Sequence, residues 1–432
     1  MREKRDNPMH SGATTRWGWL GAACATAVVY YLSNPRPQSY YDYTFRVASN
    51  ILNGSIGFTE KPPPHLNEFV RFESLYYSVF PLGSVVTMIP FAALKSIGLI
   101  TEMPAAIMAA LSAGVMCAFL FLIGKRYSID SMRLIVMTFG ILFGTWTWTN
   151  LTMAGAWQLA LGFAMVGELG AIYFTIYDRR PLIAGMFFAL AFGNRTEVLL
   201  TAPVFFWLLY RDVPRRGEGV TRRRGNVVAD IADGGSPDPR VTASPALRVV
   251  KFCVVPFILG VATLIYNYIR FHSFTDFGYA RIPGVLNEPW YNHGIFSYHY
   301  IPRQIWEMVF RPWETSNRFP YVMPDGFSSS IFWSSPFLLF AFRRGAKDQA
   351  LKYACWLAVI VLCILLWMHG NSGGWQFAYR YSMVCLPLLF VIMLETSPKK
   401  LTPLEWAAYA FSFVANIYAT WLFHWTSYVK PY

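Results

Sequence analysis

The apolar runs constrain this sequence most, because they occupy nearly the whole chain of 432 residues. Hydrophobic residues make up 55% of the chain and charged residues only 14%. A water-soluble protein of this composition would expose far too much apolar surface. About 20 helical residues cross a bilayer core of about 30 Å. The sequence therefore predicts an all-α polytopic membrane protein with a single domain, residues 1–432.

Twelve apolar segments are candidates for membrane elements, and several of them are shorter than a full span. We predict a bundle of about 11–12 transmembrane elements from them. The segments are 17–33, 80–99, 104–124, 133–150, 156–177, 182–194, 197–210, 249–269, 331–342, 351–368, 382–396 and 404–424.

The basic residues between these segments predict the orientation, because loops rich in Lys and Arg stay on the cytoplasmic side. Strict alternation would separate Lys125-Arg126 and Arg179-Arg180 from the basic N-terminus. The conflict disappears if 80–99 enters and leaves on one side and if 182–210 forms two short spans that meet at 194–197. We prefer this arrangement, which gives a cytoplasmic N-terminus and turns residues 194–197, the polar turn, toward an outer cavity.

Three regions then lie outside: the first outer loop (34–79), the second outer loop (270–330) and the third outer segment (369–381). They carry most of the aromatic, proline and polar residues between the spans. The long cytoplasmic segment 211–247 is basic and poor in apolar residues, and we predict that it is disordered. Function is therefore expected on the outer face.

The first outer loop begins with YYDYTFRVASNILNG, in which Tyr41, Phe45 and Ala48 recur at helical spacing. Asp42 and Arg46 lie one turn apart on another face. This pattern predicts an amphipathic helix in the membrane interface. The loop continues with further ionisable and aromatic side chains, a density that suits a polar headgroup site at a membrane surface.

Sugar transfer from a lipid phosphate makes demands that this face meets. A carboxylate takes the proton of the acceptor hydroxyl, and cations stabilise the phosphate charge that develops as the anomeric bond breaks. Aromatic rings cover the sugar and the lipid. We predict Asp42 as the general base and Arg195 and Arg380 as the phosphate-binding cations.

Each of these residues also has a structural explanation. Asp42 is also expected to pair with Arg46 at a helix start, and Arg380 is equally placed for an interfacial arginine that extends to the membrane surface. Arg195 interrupts an apolar stretch, so its alternative role is an internal ion pair with Glu197 or Glu168.

The motifs resemble those of the GT-C class of polytopic glycosyltransferases, which includes protein O-mannosyltransferases and the lipid A aminoarabinose transferase. The resemblance follows the order of the chain and covers most of it. Its motifs are YYDYTFRVASNILNG at 40–54, YYSVFPLG at 76–83, ALAFGNRTEVLLTAP at 189–203, YNYIRFHSFTDFGYA at 266–280 and GGWQFAYRYSMVCLPLL at 373–389.

The resemblance implies a GT-C-like bundle, a polyprenyl-phosphate sugar donor, inversion at the transferred sugar and a catalytic aspartate at Asp42. Tyr43 stands where protein O-mannosyltransferases have a glutamate, and Thr196 stands where the family pattern has a proline. The sugar, a hexose or a pentose, therefore stays open. The candidate donor-binding residues are Arg380, Arg195, Arg46, Tyr379, Tyr381 and Tyr77, and the candidate supporting acids are Glu68, Glu73 and Glu197.

The expected partners are the lipid-linked donor, a lipid, glycan or protein acceptor, and the bilayer of a bacterial inner membrane. Nucleic acid is excluded, because the basic residues cluster beside spans. We expect no metal, although Asp42, Glu68 and Glu73 would supply oxygen ligands to a divalent cation if the loop folds back. The alternatives are a transporter or flippase for an amphipathic solute, a ligase for preassembled glycans and a non-catalytic scaffold.

Overall fold

Helices dominate the computed structural model, which describes residues 18–35, 41–211 and 244–429. Fifteen α-helices are present in these ranges, and 3₁₀ or π-helical turns extend several of them. The helices are α1 (Gly18–Leu32), α2 (Tyr43–Leu52), α3 (Leu82–Ser96), α4 (Ala105–Gly124), α5 (Ser131–Phe143), α6 (Thr147–Met153), α7 (Ala156–Ile172), α8 (Pro181–Asn194), α9 (Ala202–Tyr210), α10 (Pro245–Phe271), α11 (Ile301–Ile305), α12 (Ile331–Ser334), α13 (Gln349–Met368), α14 (Leu386–Thr396) and α15 (Pro403–Trp425).

Four helical segments of the described chain are long and apolar enough to cross a membrane: Ala105–Gly124, Ala156–Tyr177, Pro245–Phe271 and Gln349–Met368. Helices α5 and α6 form a fifth if their pair, bent by 45°, counts as one span. The chain is thus an all-α protein of membrane character. The larger number of 11–12 elements stays a prediction, because the remaining helices fail this test of length and hydropathy.

The basic clusters meet at one end of the bundle. Arg179 donates to the carbonyl oxygen of Arg211 at 2.7 Å, which closes the α8–α9 hairpin on that side. Arg211 in turn pairs with Asp348 at 3.1 Å. The amide of Asp130 donates to the carbonyl oxygen of Lys399 at 3.0 Å. The grouping that the orientation argument predicts for the described clusters is therefore present, and the cytoplasmic location of this end stays a prediction.

A buried ion pair supports this basic end. Arg133 and Glu405 are both 1% exposed, and their closest side-chain atoms lie 2.6 Å apart. Arg343 reaches the same carboxylate at 2.7 Å. Thr402 and Glu405 form a capping box that starts α15, so one glutamate serves both the helix start and the ion pair.

Helix α3 covers most of the predicted element 80–99, whose entry and return on one side of the membrane stays a prediction. It packs along α2 of the first outer loop, and Lys95 near its end lies 5.5 Å from the centre of the Phe45 ring. Gly83 allows α3 to cross α8 closely, because an added Cβ would lie 2.3 Å from the Cα of Gly193. No side chain larger than hydrogen fits at this crossing.

The outer loops contain little regular structure beyond short helical turns. Arg270, fully buried at the end of α10, donates to the carbonyl oxygen of Ser78 and so ties the first outer loop to the second. Residues 212–243, most of the segment predicted to be disordered, lie outside the described residues, and α10 begins at Pro245. The described residues form two antiparallel strand pairs, β1 (Phe69–Phe72) with β2 (Leu75–Ser78) and β3 (Glu314–Thr315) with β4 (Val322–Met323).

Candidate functional site

A cavity of about 1320 Å³ lies at the end of the bundle away from the basic clusters. All three predicted outer regions and the polar turn contribute to its wall, together with the start of α7 and the end of α15. Residues at the ends of eight α-helices of the described chain therefore converge on one space. The prediction that the polar turn lines a cavity is confirmed.

The polar turn is held in place by α3. Asn194, the last residue of α8, donates from its side-chain amide to the hydroxyl of Thr87 at 2.9 Å. Arg195 then adopts an extended backbone, which ends the helix and turns the chain toward the cavity. The guanidinium of Arg195 lies 2.6 Å from Glu197. Glu197 and Glu168 were the two predicted partners of Arg195, and the structure shows the pair with Glu197.

The third outer segment is anchored to α6, and this fixes Arg380. Asn150 donates to the carbonyl oxygen of Phe377 at 2.8 Å and accepts from the amide of the same residue at 3.1 Å. Gln376 accepts from the backbone amide of Arg380 at 3.1 Å. Arg380 is 5% exposed. Its guanidinium is thus held on the cavity wall by a rigid segment.

Two guanidinium groups share one aromatic ring in the cavity. The central guanidinium carbons of Arg195 and Arg380 lie 4.7 Å and 5.1 Å from the ring centre of Tyr381. Arg195 is neutralised by Glu197, whereas Arg380 has no carboxylate within ion-pair distance among the described residues. The Nε of Arg380 is buried without a hydrogen-bond partner. This arrangement leaves Arg380 with N–H groups for an anionic ligand.

His369 lies on the same wall and was not predicted. Its Nδ1 is 2.7 Å from the carbonyl oxygen of Asn371, so Nδ1 carries the proton and Nε2 is an acceptor. Burial lowers the pKa of His369, and the charges of Arg195 and Arg380 lower it further, against the hydrogen bond to Asn371. The imidazole is therefore neutral near pH 7.

Glu68 is the carboxylate of the first outer loop that lines the cavity. The indole Nε1–H of Trp157, near the start of α7, donates to its two oxygens at 2.8 and 3.0 Å. Burial raises the pKa of Glu68 to about 7, against the opposing effects of the Trp157 hydrogen bond and the Arg380 charge. A carboxyl group of this kind exchanges a proton near neutral pH.

Asp42 lies beside the cavity rather than on its wall. The preceding residue, Tyr41, lines the cavity, and the carboxylate of Asp42 accepts from the Nε of Arg46 at 2.6 Å. The Asp42 side chain is 14% exposed, and Arg46 is 42% exposed. The pair that was the structural alternative is thus formed. The catalytic role of Asp42 and the donor-binding role of Arg46 stay predictions.

Three other candidates do not line the cavity. Glu73 is exposed and lies 3.7 Å from His272. Tyr77 packs against Phe271, with ring centres 5.9 Å apart. Tyr379 is fully buried, and its hydroxyl donates to Gln304 at 2.9 Å. The structure therefore brings together Glu68, Arg195, Glu197, Arg380 and Tyr381 from the predicted set.

Residues missed by the sequence analysis include Trp157, His369 and Tyr279, all on the cavity wall. The sequence hinted only weakly at Trp157, which lies two residues after Gly155 at the start of an apolar span. His369 ends an apolar span. Among the described residues, no group of three or more His, Cys, Asp or Glu side chains is arranged to hold a metal ion.

Comparisons with known proteins add little at the level of sequence. The chain matches no protein-family model and no curated protein. Among solved structures, the apo oligosaccharyltransferase of Archaeoglobus fulgidus is similar, with a TM-score of 0.42 and 12% identity. The alignment covers 96% of this chain and 56% of that chain. This likeness is too remote to support a function.

Proposed function

We propose that the protein is a membrane glycosyltransferase that moves a sugar from a polyprenyl-phosphate donor to an acceptor hydroxyl. One observation carries this proposal. The guanidinium of Arg380, which has no carboxylate partner among the described residues, and the carboxyl group of Glu68 line the same aromatic-lined cavity at the end of the helical bundle. Phosphate departure needs the cation and proton removal needs the carboxylate.

The cationic wall suits a phosphate that becomes more negative during the reaction. Arg380 supplies the unpaired charge, because Glu197 already neutralises Arg195. In our proposal Arg380 binds the phosphate. Arg195, which contacts the same Tyr381 ring, helps to hold that ring in position. Preorganised donors of this kind stabilise a developing charge without reorganisation.

The remaining features of the proposal come from the sequence. The donor is a polyprenyl-phosphate-linked hexose or pentose, transferred with inversion, and the acceptor is a lipid, glycan or protein. The bundle has 11–12 membrane elements in a bacterial inner membrane, with the N-terminus in the cytoplasm. A carboxylate of the first outer loop is the general base, and the motif resemblance assigns this step to Asp42.

A transfer assay tests the proposal against a transporter or flippase. The purified full chain, reconstituted in lipid nanodiscs, is incubated with radiolabelled polyprenyl-phosphate sugar and a membrane lipid extract as acceptor. A glycosyltransferase moves the label into a new product that survives extraction. In sealed vesicles a transporter instead carries the labelled lipid across the bilayer without forming a new bond, and that result would refute the proposal.

A further inference from the structure

We propose that Glu68, rather than Asp42, accepts the proton of the acceptor hydroxyl, an assignment that rests on the proposed glycosyl transfer. Nothing in the sequence motifs singles out Glu68 for this step. The assignment follows from which carboxylate the fold brings to the cavity, and it makes Asp42 a structural residue at the start of α2.

The backbone around Glu68 is fixed on both sides. The amide of Val79 donates to the carbonyl oxygen of Glu68 at 3.1 Å. The hydroxyl of Tyr43 donates to the side chain of the adjacent Asn67 at 3.0 Å. The Trp157 indole N–H then holds the carboxylate itself. Glu68 is therefore a preorganised group on the cavity wall rather than a mobile loop side chain.

Proton transfer to Glu68 balances the reaction. The acceptor oxygen forms a bond to the anomeric carbon while the bond from that carbon to the phosphate oxygen breaks. The electron pair of the broken bond leaves with the phosphate, whose added charge Arg380 stabilises. The hydroxyl proton passes to a Glu68 oxygen and is lost to bulk solvent after the product leaves. Each carboxylate oxygen keeps a lone pair for this proton beside the Trp157 contact.

Asp42 is less suited to the same step. Its carboxylate is held by Arg46 at 2.6 Å. It also lies beside the cavity rather than on its wall, to which the preceding residue, Tyr41, belongs. By contrast, burial raises the pKa of Glu68 to about 7, which makes its ionised form a stronger base.

The pH dependence of transfer follows from the groups around Glu68. Arg380 lies in the same cavity and its charge lowers the pKa of Glu68, and the titratable groups around Glu68 include Tyr41, Tyr43, Tyr279 and His65. The kcat/KM of the free enzyme rises with pH through an inflection near 7, because only the ionised carboxyl accepts the proton. Bound phosphate raises the pKa of Glu68, so the inflection in kcat lies at higher pH.

The experiment compares Glu68→Gln, Asp42→Asn and Glu60→Gln in the purified full chain, by transfer kinetics and by donor binding in native mass spectrometry. Glu60 is exposed in the same loop and is the matched control. We expect Glu68→Gln to lower kcat by about 10²–10⁴-fold with the donor still bound. We expect Asp42→Asn to stay at least about tenfold more active than Glu68→Gln.

Trp157→Phe gives a second test that does not require Glu68→Gln to fold. Removing the indole N–H takes away a hydrogen bond that lowers the pKa of Glu68, so the kcat/KM inflection moves to higher pH. An unchanged inflection overturns the assignment, as does loss of transfer in Asp42→Asn with normal transfer in Glu68→Gln. Both results leave the proposed function standing, whereas absence of transfer in the wild-type protein defeats the function itself.

Discussion

Replacing Arg380 with alanine tests the phosphate site most directly. The guanidinium donates to the carbonyl oxygen of Trp375 at 3.2 Å and approaches the hydroxyl of Tyr381 at 3.4 Å. A guanidinium carries more N–H groups than these two contacts use, and Nε is buried without a partner. The variant therefore removes donors that the fold leaves for a ligand.

The expected loss follows from the interaction that disappears. Removing one preorganised donor to a developing oxyanion costs about 2.7–4 kcal/mol, or about 10²–10³-fold in rate. A unit charge about 4 Å away at an effective dielectric of about 20 contributes about 4 kcal/mol, which is the same order. We therefore expect Arg380→Ala to lower kcat/KM by about 10²–10³-fold. The kcat/KM of Arg380→Lys should lie between those of the wild type and Arg380→Ala, because lysine keeps the charge and loses the paired N–H donors.

The assay is initial-rate transfer from radiolabelled donor at several donor concentrations, with thermal unfolding measured on the same samples. Arg281→Ala is the control, since Arg281 lies in the second outer loop, pairs with Asp276 at 2.8 Å and does not line the cavity. A kcat/KM of Arg380→Ala within about threefold of the control variant would refute the assignment of Arg380 to the phosphate.

Three further predictions concern stability and orientation. Glu405→Gln leaves the buried Arg133 without its ion pair, so we expect a loss of about 3–5 kcal/mol in thermal or denaturant unfolding; an unchanged midpoint would contradict it. Gly83→Ala places a methyl group against the α8 backbone, and we expect about 1–3 kcal/mol of destabilisation in the same assay. A cysteine at Lys61 should react with an impermeant reagent added outside, and one at Lys399 only after permeabilisation; the reverse pattern would invert the topology.

The two irregular membrane elements, 80–99 and 182–210, were predicted from the sequence before any packing was known. Charge distribution alone predicted that 80–99 returns on one side and that 182–210 breaks at residues 194–197. The structure has the break at 194–197, in the α8–α9 hairpin, whereas the return of 80–99 on one side stays a prediction. The break at 194–197 was predictable because the cost of placing charges in a bilayer restricts the topology of the chain.

The candidate site was predicted less completely. Sequence spacing put Asp42 beside Arg46, and that local pair is formed. Spacing could not show that Glu68 meets Trp157, 89 positions away, or that Tyr379 turns inward to Gln304 while its neighbours Arg380 and Tyr381 face the cavity. Such contacts depend on how separate helices pack, which no local pattern encodes.

The sequence by itself determined the class, the helical content and the concentration of aromatic and ionisable residues in three loops, because a bilayer imposes a simple rule on every apolar segment. Only the tertiary structure decided which charges remain available. The pairs Arg195–Glu197 and Asp42–Arg46 are local, and the sequence already offered both as alternatives. Helix packing placed Arg380 and Glu68 in one cavity, where burial raises the pKa of Glu68 to about 7.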